Sequence, residues 1–346
     1  MNKKKIIVNI ITILLLSLLT IFYLKKASIL SIQTLLSIKI EHYIIVLLWV
    51  YFCYFFISFC EKLVYSTFCI YPLKSAIKTT LLGALGSAVS PLKSAHFPLK
   101  VYAQSNSGLA LNQTLTGITK CQIIFSLTSI IVYAILSIVF AILGIKETIQ
   151  GITFPLFLTT TIGFATNLFV FVFLLVLSKN QRLQKSTLLC GYYLLKVFKK
   201  GLKREEFISK KSQRLLLFNE QTKAIFSNIK SIILPSILYA FYMIISALSP
   251  YICYLTITQN TFNFISCINF YLLSLSAIYL TNIIPVPGGC VVAEYVFSVV
   301  FSSLLGDNLS QILLLWRVCT YYLPVIINFI IFLISSLKIK IKPIKT

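Results

Sequence analysis

The residues best suited to chemistry lie inside an otherwise apolar stretch. Between Ser231 and Gly306 the only charged residue is Glu294, and shortly before it stands the motif Pro285-Val-Pro-Gly-Gly289. Proline lacks a backbone N–H and glycine tolerates almost any backbone angle, so this motif is expected to end one helix and begin another. The first free amide groups of the new helix, near 289–292, would then attract an anion such as a carboxylate or a lipid phosphate.

Glu294 needs either a partner or a function, because a carboxylate placed in a membrane costs roughly 2.5–3.5 kcal/mol on insertion scales. The best candidate partner is Arg317, the only basic residue within the last three predicted spans. One interpretation is a structural ion pair that holds two helices together. The other places the pair beside a polar substrate cavity, where it responds to the occupant, and the two interpretations are compatible.

A second broken region is predicted at 65–122. Its apolar pieces are short and rich in small residues, as in Leu81 to Ser90, and Pro91 and Pro98 interrupt them. We therefore predict a re-entrant hairpin or broken helices here rather than a simple span. The favoured interpretation of Lys93 is an ordinary charge at the cytoplasmic edge of the membrane.

The two broken regions show a faint internal repeat. Segments 108–120 and 306–317 each begin with glycine and each follow a proline-broken apolar stretch. Each also places a basic residue near the start of a span. Paired interrupted segments in two halves of a chain are typical of a transporter site at the repeat interface. The candidate substrate-binding residues from both regions are Lys100, Lys120, Pro285, Pro287, Gly288, Gly289, Glu294 and Arg317.

The elements that must position these residues are apolar helices. Of the 346 residues, 58% are hydrophobic and 11% are charged, whereas a soluble domain carries about 25% charged residues. We predict an all-α integral membrane protein, a single polytopic domain over 1–346, with about eight transmembrane helices and two broken or re-entrant segments. The predicted spans are 6–24, 43–60, 123–143, 152–177, 231–249, 264–284, 291–305 and 312–336, and 284–305 holds the Pro/Gly-broken helix.

The basic residues indicate how the helices are oriented. The net charge is +23, and Lys and Arg cluster between apolar runs, above all in a predicted basic cytoplasmic loop at 179–230. By the positive-inside rule, both termini of this multi-pass cell-membrane protein are expected in the cytoplasm, with the basic loops in contact with anionic lipid. No nucleic-acid partner is expected, and the spacing of nine cysteines and two histidines favours neither a metal site nor a cofactor.

The pattern Pro285-x-Pro287-Gly288-Gly289, followed by Glu294 and by Arg317 in the next span, resembles the lysylphosphatidylglycerol synthase/flippase transmembrane family. The small residues and proline between Leu82 and Lys100 are similar to the same family. This resemblance implies an inner-membrane protein that handles lipids. Long members of the family join such a membrane domain to a cytoplasmic acyltransferase domain, which transfers lysine from charged tRNA to phosphatidylglycerol.

Two departures from the family pattern bear on the expected function. Val286 stands between the prolines, where relatives often have a small polar residue, and the ten residues after Ser336 are too few for an acyltransferase domain. The leading hypothesis is therefore a flippase or translocator without chemistry of its own. Its expected partner is a phospholipid, either an anionic one such as phosphatidylglycerol or the lysyl ester. The alternatives are a phosphatidylglycerol lysyltransferase acting with a separate acyltransferase partner, and a small-solute transporter.

Overall fold

The computed structural model describes residues 32–90, 93–144, 146–149, 152–179, 230–283 and 286–337, together with residues 186, 189, 192 and 205. The predicted first span at 6–24, nearly all of the basic loop at 179–230, Pro285 and the basic C-terminal tail lie outside this described part. Within it the chain is almost entirely helical, as predicted, with one short β-hairpin.

The described elements form two groups, which residues 180–229 separate in sequence. The first comprises α1 (Ile32–Ser37), α2 (Ile40–Tyr65), α3 (Leu73–Ala88), α4 (His96–Ser105), α5 (Leu111–Leu143), the antiparallel strands β1 (Lys146–Ile149) and β2 (Ile152–Pro155), and α6 (Leu156–Lys179). The second comprises α7 (Lys230–Ala247), α8 (Ser249–Thr258), α9 (Phe264–Ile283), a 3₁₀ turn (Pro287–Gly289), α10 (Val292–Leu305), a second 3₁₀ turn (Gly306–Asn308), α11 (Leu309–Arg317), a π turn (Val318–Tyr322) and α12 (Leu323–Leu337). The two groups pack together, since α2 contacts α7 and α8, and α3 contacts α12.

Three helical stretches among the described residues are long and apolar enough to cross a membrane: Ile40–Tyr65, Gln113–Ile142 and Val292–Ser335. The pair Ser231–Ala247 and Ser249–Thr258, bent by 41°, makes a fourth if it is counted as one span. These are fewer than the eight spans predicted, although the expected span at 6–24 lies outside the described residues. The helices are compatible with a membrane protein.

Two predicted spans change in kind in the structure, whereas others only lengthen, as where the span predicted at 123–143 begins at Leu111. The one expected at 152–177 starts as strand β2, which pairs with β1. Its first residues, Ile-Thr-Phe, favour a strand, and Pro155 ends the pairing because it offers no N–H to the ladder. The span expected at 231–249 continues beyond a bend at Leu248 into α8.

The last apolar stretch, Val292–Ser335, is a helical hairpin. Its turn begins at Gly306, whose φ of 49° and ψ of −126° are readily accessible only to glycine. The reversal brings Glu294 on α10 against Arg317 on α11, 23 residues further along the chain. The rings of Phe297 and Trp316 stack across the same interface, with their centroids 4.7 Å apart. Helix α10, which has 14 residues, is therefore paired with α11 rather than isolated.

A second helical hairpin, formed by α3 and α4, lies within the predicted broken region 65–122. Glycines on α3 allow the two helices to pack closely. A Cβ at Gly86 would lie 2.4 Å from the backbone oxygen of Ala95, and a Cβ at Gly83 would lie 2.7 Å from Cε of Lys100. The small residues of this region are thus the ones that let α4 approach α3.

The outer faces of the helices are strongly apolar. On α2 the exposed apolar side chains recur about one turn apart, at Ile44, Leu48, Phe52 and Phe55. The buried side chains of the same helix lie on the opposite face and include Val46, Val50, Cys53, Cys60 and Val64. An outer face lined by exposed apolar side chains is compatible with a helix in contact with lipid.

Candidate functional site

The predicted Glu294–Arg317 ion pair is present and buried. Glu294 lies in the first turn of α10 and is 0% exposed, while Arg317 is the last residue of α11 and is 5% exposed. Nε of Arg317 donates to Oε1 of Glu294 at 2.5 Å, and Nη2 donates to the backbone oxygen of Gly288 at 2.8 Å. The guanidinium carbon also lies 4.2 Å from the ring centroid of Tyr321. Arg317 therefore joins the helical hairpin to the glycine turn.

The glycine turn has the conformation expected of a helix break. Gly288 and Gly289 both have positive φ values, 58° and 64°. A Cβ at Gly288 would lie 2.1 Å from the ring of Tyr321, so no larger residue fits without displacing that side chain. The amide of Gly289 already donates to the carbonyl of Val286 at 3.0 Å. The amide of Gly289 is therefore not one of the free groups expected near 289–292, and the carboxylate of Glu294 complements the start of α10.

A second buried ion pair joins Glu61 to Lys100. Glu61 lies near the end of α2 and is 2% exposed, and Lys100 lies on α4 and is 8% exposed. Nζ of Lys100 donates to Oε1 of Glu61. Lys100 is a candidate site residue from the sequence, whereas Glu61 is not, because it stands next to Lys62 and resembles an ordinary charged helix end. One signal for it was available, because Glu61 shares a helix face with the buried residues Cys53 and Val64.

Hydrogen bonds fix the elements on both sides of the second ion pair. Tyr65, one turn after Glu61, donates its hydroxyl to Oε1 of Gln104 at 2.9 Å, which ties α2 to α4. Nδ1 of His96 lies 2.9 Å from the carbonyl oxygen of Gly83 and 2.8 Å from the hydroxyl of Ser87, which ties α4 to α3. The backbone positions of Glu61 and Lys100 are thus set by neutral contacts on either side.

Both ion pairs adjoin one cavity of about 910 Å³ between the two broken regions. Ligand sites typically measure roughly 300–1,000 Å³. Charged groups of Glu61, Lys100 and Arg317 contribute to its lining, and so do Gly288 and Gly289. Much of the remaining wall is aromatic and comprises Tyr54, Phe97, Phe125, Tyr239, Tyr242, Phe297, Phe301, Trp316 and Tyr321. Such a cavity suits a molecule with a charged head and an apolar body.

Tyr321 marks the junction of the two broken regions. Its hydroxyl donates to the backbone oxygen of Ala88, the last residue of α3, at 3.3 Å. The thiol of Cys290 donates to the same hydroxyl at 3.2 Å. Helix α3 also packs against the turn Pro287–Gly289. The expected juxtaposition of the two broken elements is therefore observed.

Lys120 lies apart from the cavity lining. Its Nζ donates to the hydroxyl of Thr67 at 2.8 Å and lies 6.0 Å from the ring centroid of Phe68. The two segments share one backbone feature, since Gly108 and Gly306 have positive φ and precede α5 and α11 by three residues, and the internal repeat itself stays a prediction. The basic residues of the two segments differ in their partners, a hydroxyl for Lys120 and a carboxylate for Arg317.

What the site offers chemically is paired charge. Across residues that the structure describes, no group of three His, Cys, Asp or Glu side chains could hold a metal ion. The carboxylates of Glu61 and Glu294 each keep one oxygen, Oε2, without a hydrogen-bond partner in that same part of the chain. The hydroxyls of Thr80 and Ser274, two further lining residues, are also unpartnered there. These groups can exchange partners with a bound ligand.

Comparison with known proteins adds no family assignment. The sequence matches no protein-family model and no curated protein sequence. The resemblance to the lysylphosphatidylglycerol synthase/flippase transmembrane family therefore stays a prediction, and the geometry of the cavity is the stronger guide to function.

Proposed function

We propose that the protein moves a phospholipid across the membrane by binding its headgroup in the cavity between the two broken regions. The observation that carries this proposal is the cavity itself, in which two buried ion pairs adjoin an aromatic, apolar wall. Replacing a buried ion pair by apolar residues is often neutral or stabilising. Two such pairs inside apolar helices therefore favour a role beyond fastening helices together.

The proposed setting is a cell membrane, with about eight spans and both termini in the cytoplasm. The apolar outer face of α2 and the three to four helices of sufficient length support a membrane location. The net charge of +23 supports contact with a membrane of anionic lipid. An anionic or lysylated phospholipid is the proposed substrate, in line with the family that the sequence resembles.

The proposed mechanism is an exchange of ion-pair partners. Lipid phosphate replaces a carboxylate at Arg317 or Lys100, and an ammonium group on the headgroup, where there is one, binds the carboxylate that is released. With a headgroup that carries both a phosphate and an ammonium group, the exchange conserves the number of paired charges, so the headgroup passes through apolar protein without leaving a charge unpaired. The acyl chains remain outside, along the apolar helix faces. No structural observation favours lysyl transfer, and the enzyme stays an alternative on the resemblance alone.

Lipid movement in vesicles tests this proposal. Purified protein is placed in vesicles with fluorescent phosphatidylglycerol or lysyl-phosphatidylglycerol, and the label in each leaflet is measured over time. We expect wild type to equilibrate the label, and Glu294→Gln combined with Arg317→Gln to slow it at least about tenfold, because the amides retain a hydrogen bond but no charge. Asp307→Asn, which neutralises an exposed acid in the Gly306–Asn308 turn, is the matched control.

Three results distinguish the candidate functions. Label movement no faster with wild type than in protein-free vesicles contradicts lipid translocation. Release of trapped water-soluble solute without lipid movement favours the small-solute transporter. Equal lipid movement in the double variant and in Asp307→Asn removes the ion pair from the mechanism even if translocation itself is observed.

A further inference from the structure

The cavity lining has one cation without an ion pair among the described residues. Lys93, Lys100 and Arg317 all belong to its lining. Lys100 is paired with Glu61, which also lines the cavity, and Arg317 is paired with Glu294, which lies outside the lining. The remaining charge is on Lys93, for which the described part of the chain provides no ion pair.

Lys93 is held in an unusual backbone conformation at the turn between α3 and α4. Its φ is 55°, in the left-handed region that residues other than glycine rarely adopt. Hydrogen bonds around Ser90 fix this turn. The hydroxyl of Ser90 donates to the carbonyl of Gly86 at 2.6 Å and accepts from the amide of Ala95 at 2.8 Å. Backbone strain of this kind persists only where the surrounding structure imposes it, often at ligand sites.

The side chain of Lys93 is exposed and lines the cavity, unlike the two buried cations that are already held by carboxylates. An ammonium group without an ion pair gains a charge-assisted hydrogen bond from an anionic partner. Lys93 is therefore the cation of the cavity that is available to a ligand before any ion pair opens.

We infer that Lys93 binds the anionic group of the ligand, and that the cavity accepts a ligand with a phosphodiester, which carries one negative charge. One such charge balances the single cation without an ion pair, whereas a neutral headgroup leaves Lys93 unpaired. A phosphomonoester carries close to two charges at neutral pH and overcompensates. The inference deepens the proposed function and rests on it for the source of the phosphodiester, a lipid headgroup rather than a soluble ester.

The chain contains its own reporter for this binding. It has two tryptophans, and Trp316 lines the cavity, stacked on Phe297 and 5.9 Å from the guanidinium of Arg317. Trp49 lies elsewhere and donates to the carbonyl of Ile245. A Trp49→Phe background therefore leaves Trp316 as the single fluorophore.

The test is a fluorescence titration of the full chain in detergent, in the Trp49→Phe background. The probes are dihexanoyl phosphatidylglycerol, dihexanoyl glycerol and the water-soluble phosphodiester glycerophosphoglycerol. We expect saturable binding of the phospholipid and at least about tenfold weaker binding of the neutral dihexanoyl glycerol, since the charged hydrogen bond is lost. Lys93→Gln should weaken phospholipid binding by about the same factor, and Lys93→Arg should largely retain it. Lys74→Gln, at an exposed position of α3 outside the lining, should bind as wild type does.

Equal phospholipid affinity in Lys93→Gln and Lys74→Gln overturns the inference, as does equal affinity of wild type for the phospholipid and the neutral glyceride. The second comparison uses unaltered Lys93 and stands even if the variant fails to fold. Glycerophosphoglycerol binding as tight as that of the lipid, and dependent on Lys93, supports the anion site and identifies a soluble source. If the phospholipid binds in a Lys93-dependent way but the protein moves no lipid in vesicles, the proposed function is contradicted. The anion site is still supported in that case.

Discussion

At the scale of single residues, Arg317 explains why the glycine turn has its sequence. The guanidinium needs an acceptor in addition to Glu294, and the carbonyl of Gly288 supplies it. Tyr321, one turn after Arg317, occupies the space where a side chain at position 288 would lie. A lysine at 317 offers a point charge on a flexible stem, without the planar fork that reaches both acceptors. The break and the ion pair therefore form a single unit.

Comparing alanine substitutions at Gly288 and Gly144 separates the free-energy cost of backbone strain from that of steric conflict. Gly288→Ala places a Cβ 2.1 Å from the ring of Tyr321 at a φ of 58°. Gly144→Ala places one at a φ of 60° with nothing within 4 Å. The control should lose about 1–2 kcal/mol of unfolding free energy from strain alone, and Gly288→Ala a further ~1–3 kcal/mol from overpacking. Denaturant unfolding in detergent measures the unfolding free energy of both variants. Equal losses would show that the ring of Tyr321 moves aside at no cost.

At the scale of elements, the α3–α4 hairpin shows what a local pattern can and cannot predict. The small residues and prolines of 65–122 indicate a break, because they cannot form an ordinary apolar span. The carboxylate that pairs with Lys100 comes from Glu61, 39 residues earlier in the chain. No local pattern specifies such a partner, since it depends on how α2 packs beside α4. Helix breaks are therefore readable from this sequence, whereas the contacts across them are not.

The two glycines of α3 should differ in how much an added methyl group costs. At Gly86 a Cβ meets the backbone of Ala95 and His96, which cannot move without displacing α4. At Gly83 it meets the side chains of Lys100 and His96, which can adjust more readily than backbone although an ion pair and hydrogen bonds hold them. We expect Gly86→Ala to lose about 1–3 kcal/mol of unfolding free energy and Gly83→Ala less than about 1 kcal/mol. The same unfolding assay compares them, and a larger loss for Gly83→Ala contradicts this account of the hairpin.

At the scale of the whole molecule, the sequence predicts the helical class and the meeting of two broken regions, and it misjudges the charges between them. Composition alone specifies apolar helices, and prolines and glycines specify where they break. The interpretation of Lys93 as an edge charge is compatible with its exposed side chain, but the sequence does not predict that the same residue lines the cavity. Glu61 was overlooked for a similar reason, since burial of a helix end depends on packing from distant segments. Charge is readable from sequence, but its environment is a property of the assembled fold.

If the cavity opens to each leaflet in turn by rocking of two halves, the two broken regions must move relative to each other. We call their contact the joint. Ala88 and Tyr321 meet at this joint. In a chain whose nine cysteines are replaced, Ala88→Cys with Tyr321→Cys and a short bismaleimide crosslinker should stop lipid movement in vesicles. Crosslinking Tyr71→Cys to Thr79→Cys, whose native hydroxyls lie 2.8 Å apart within the first broken region, should leave lipid movement unchanged. Full lipid movement with the joint crosslinked would mean that the headgroup passes without separation of the two regions.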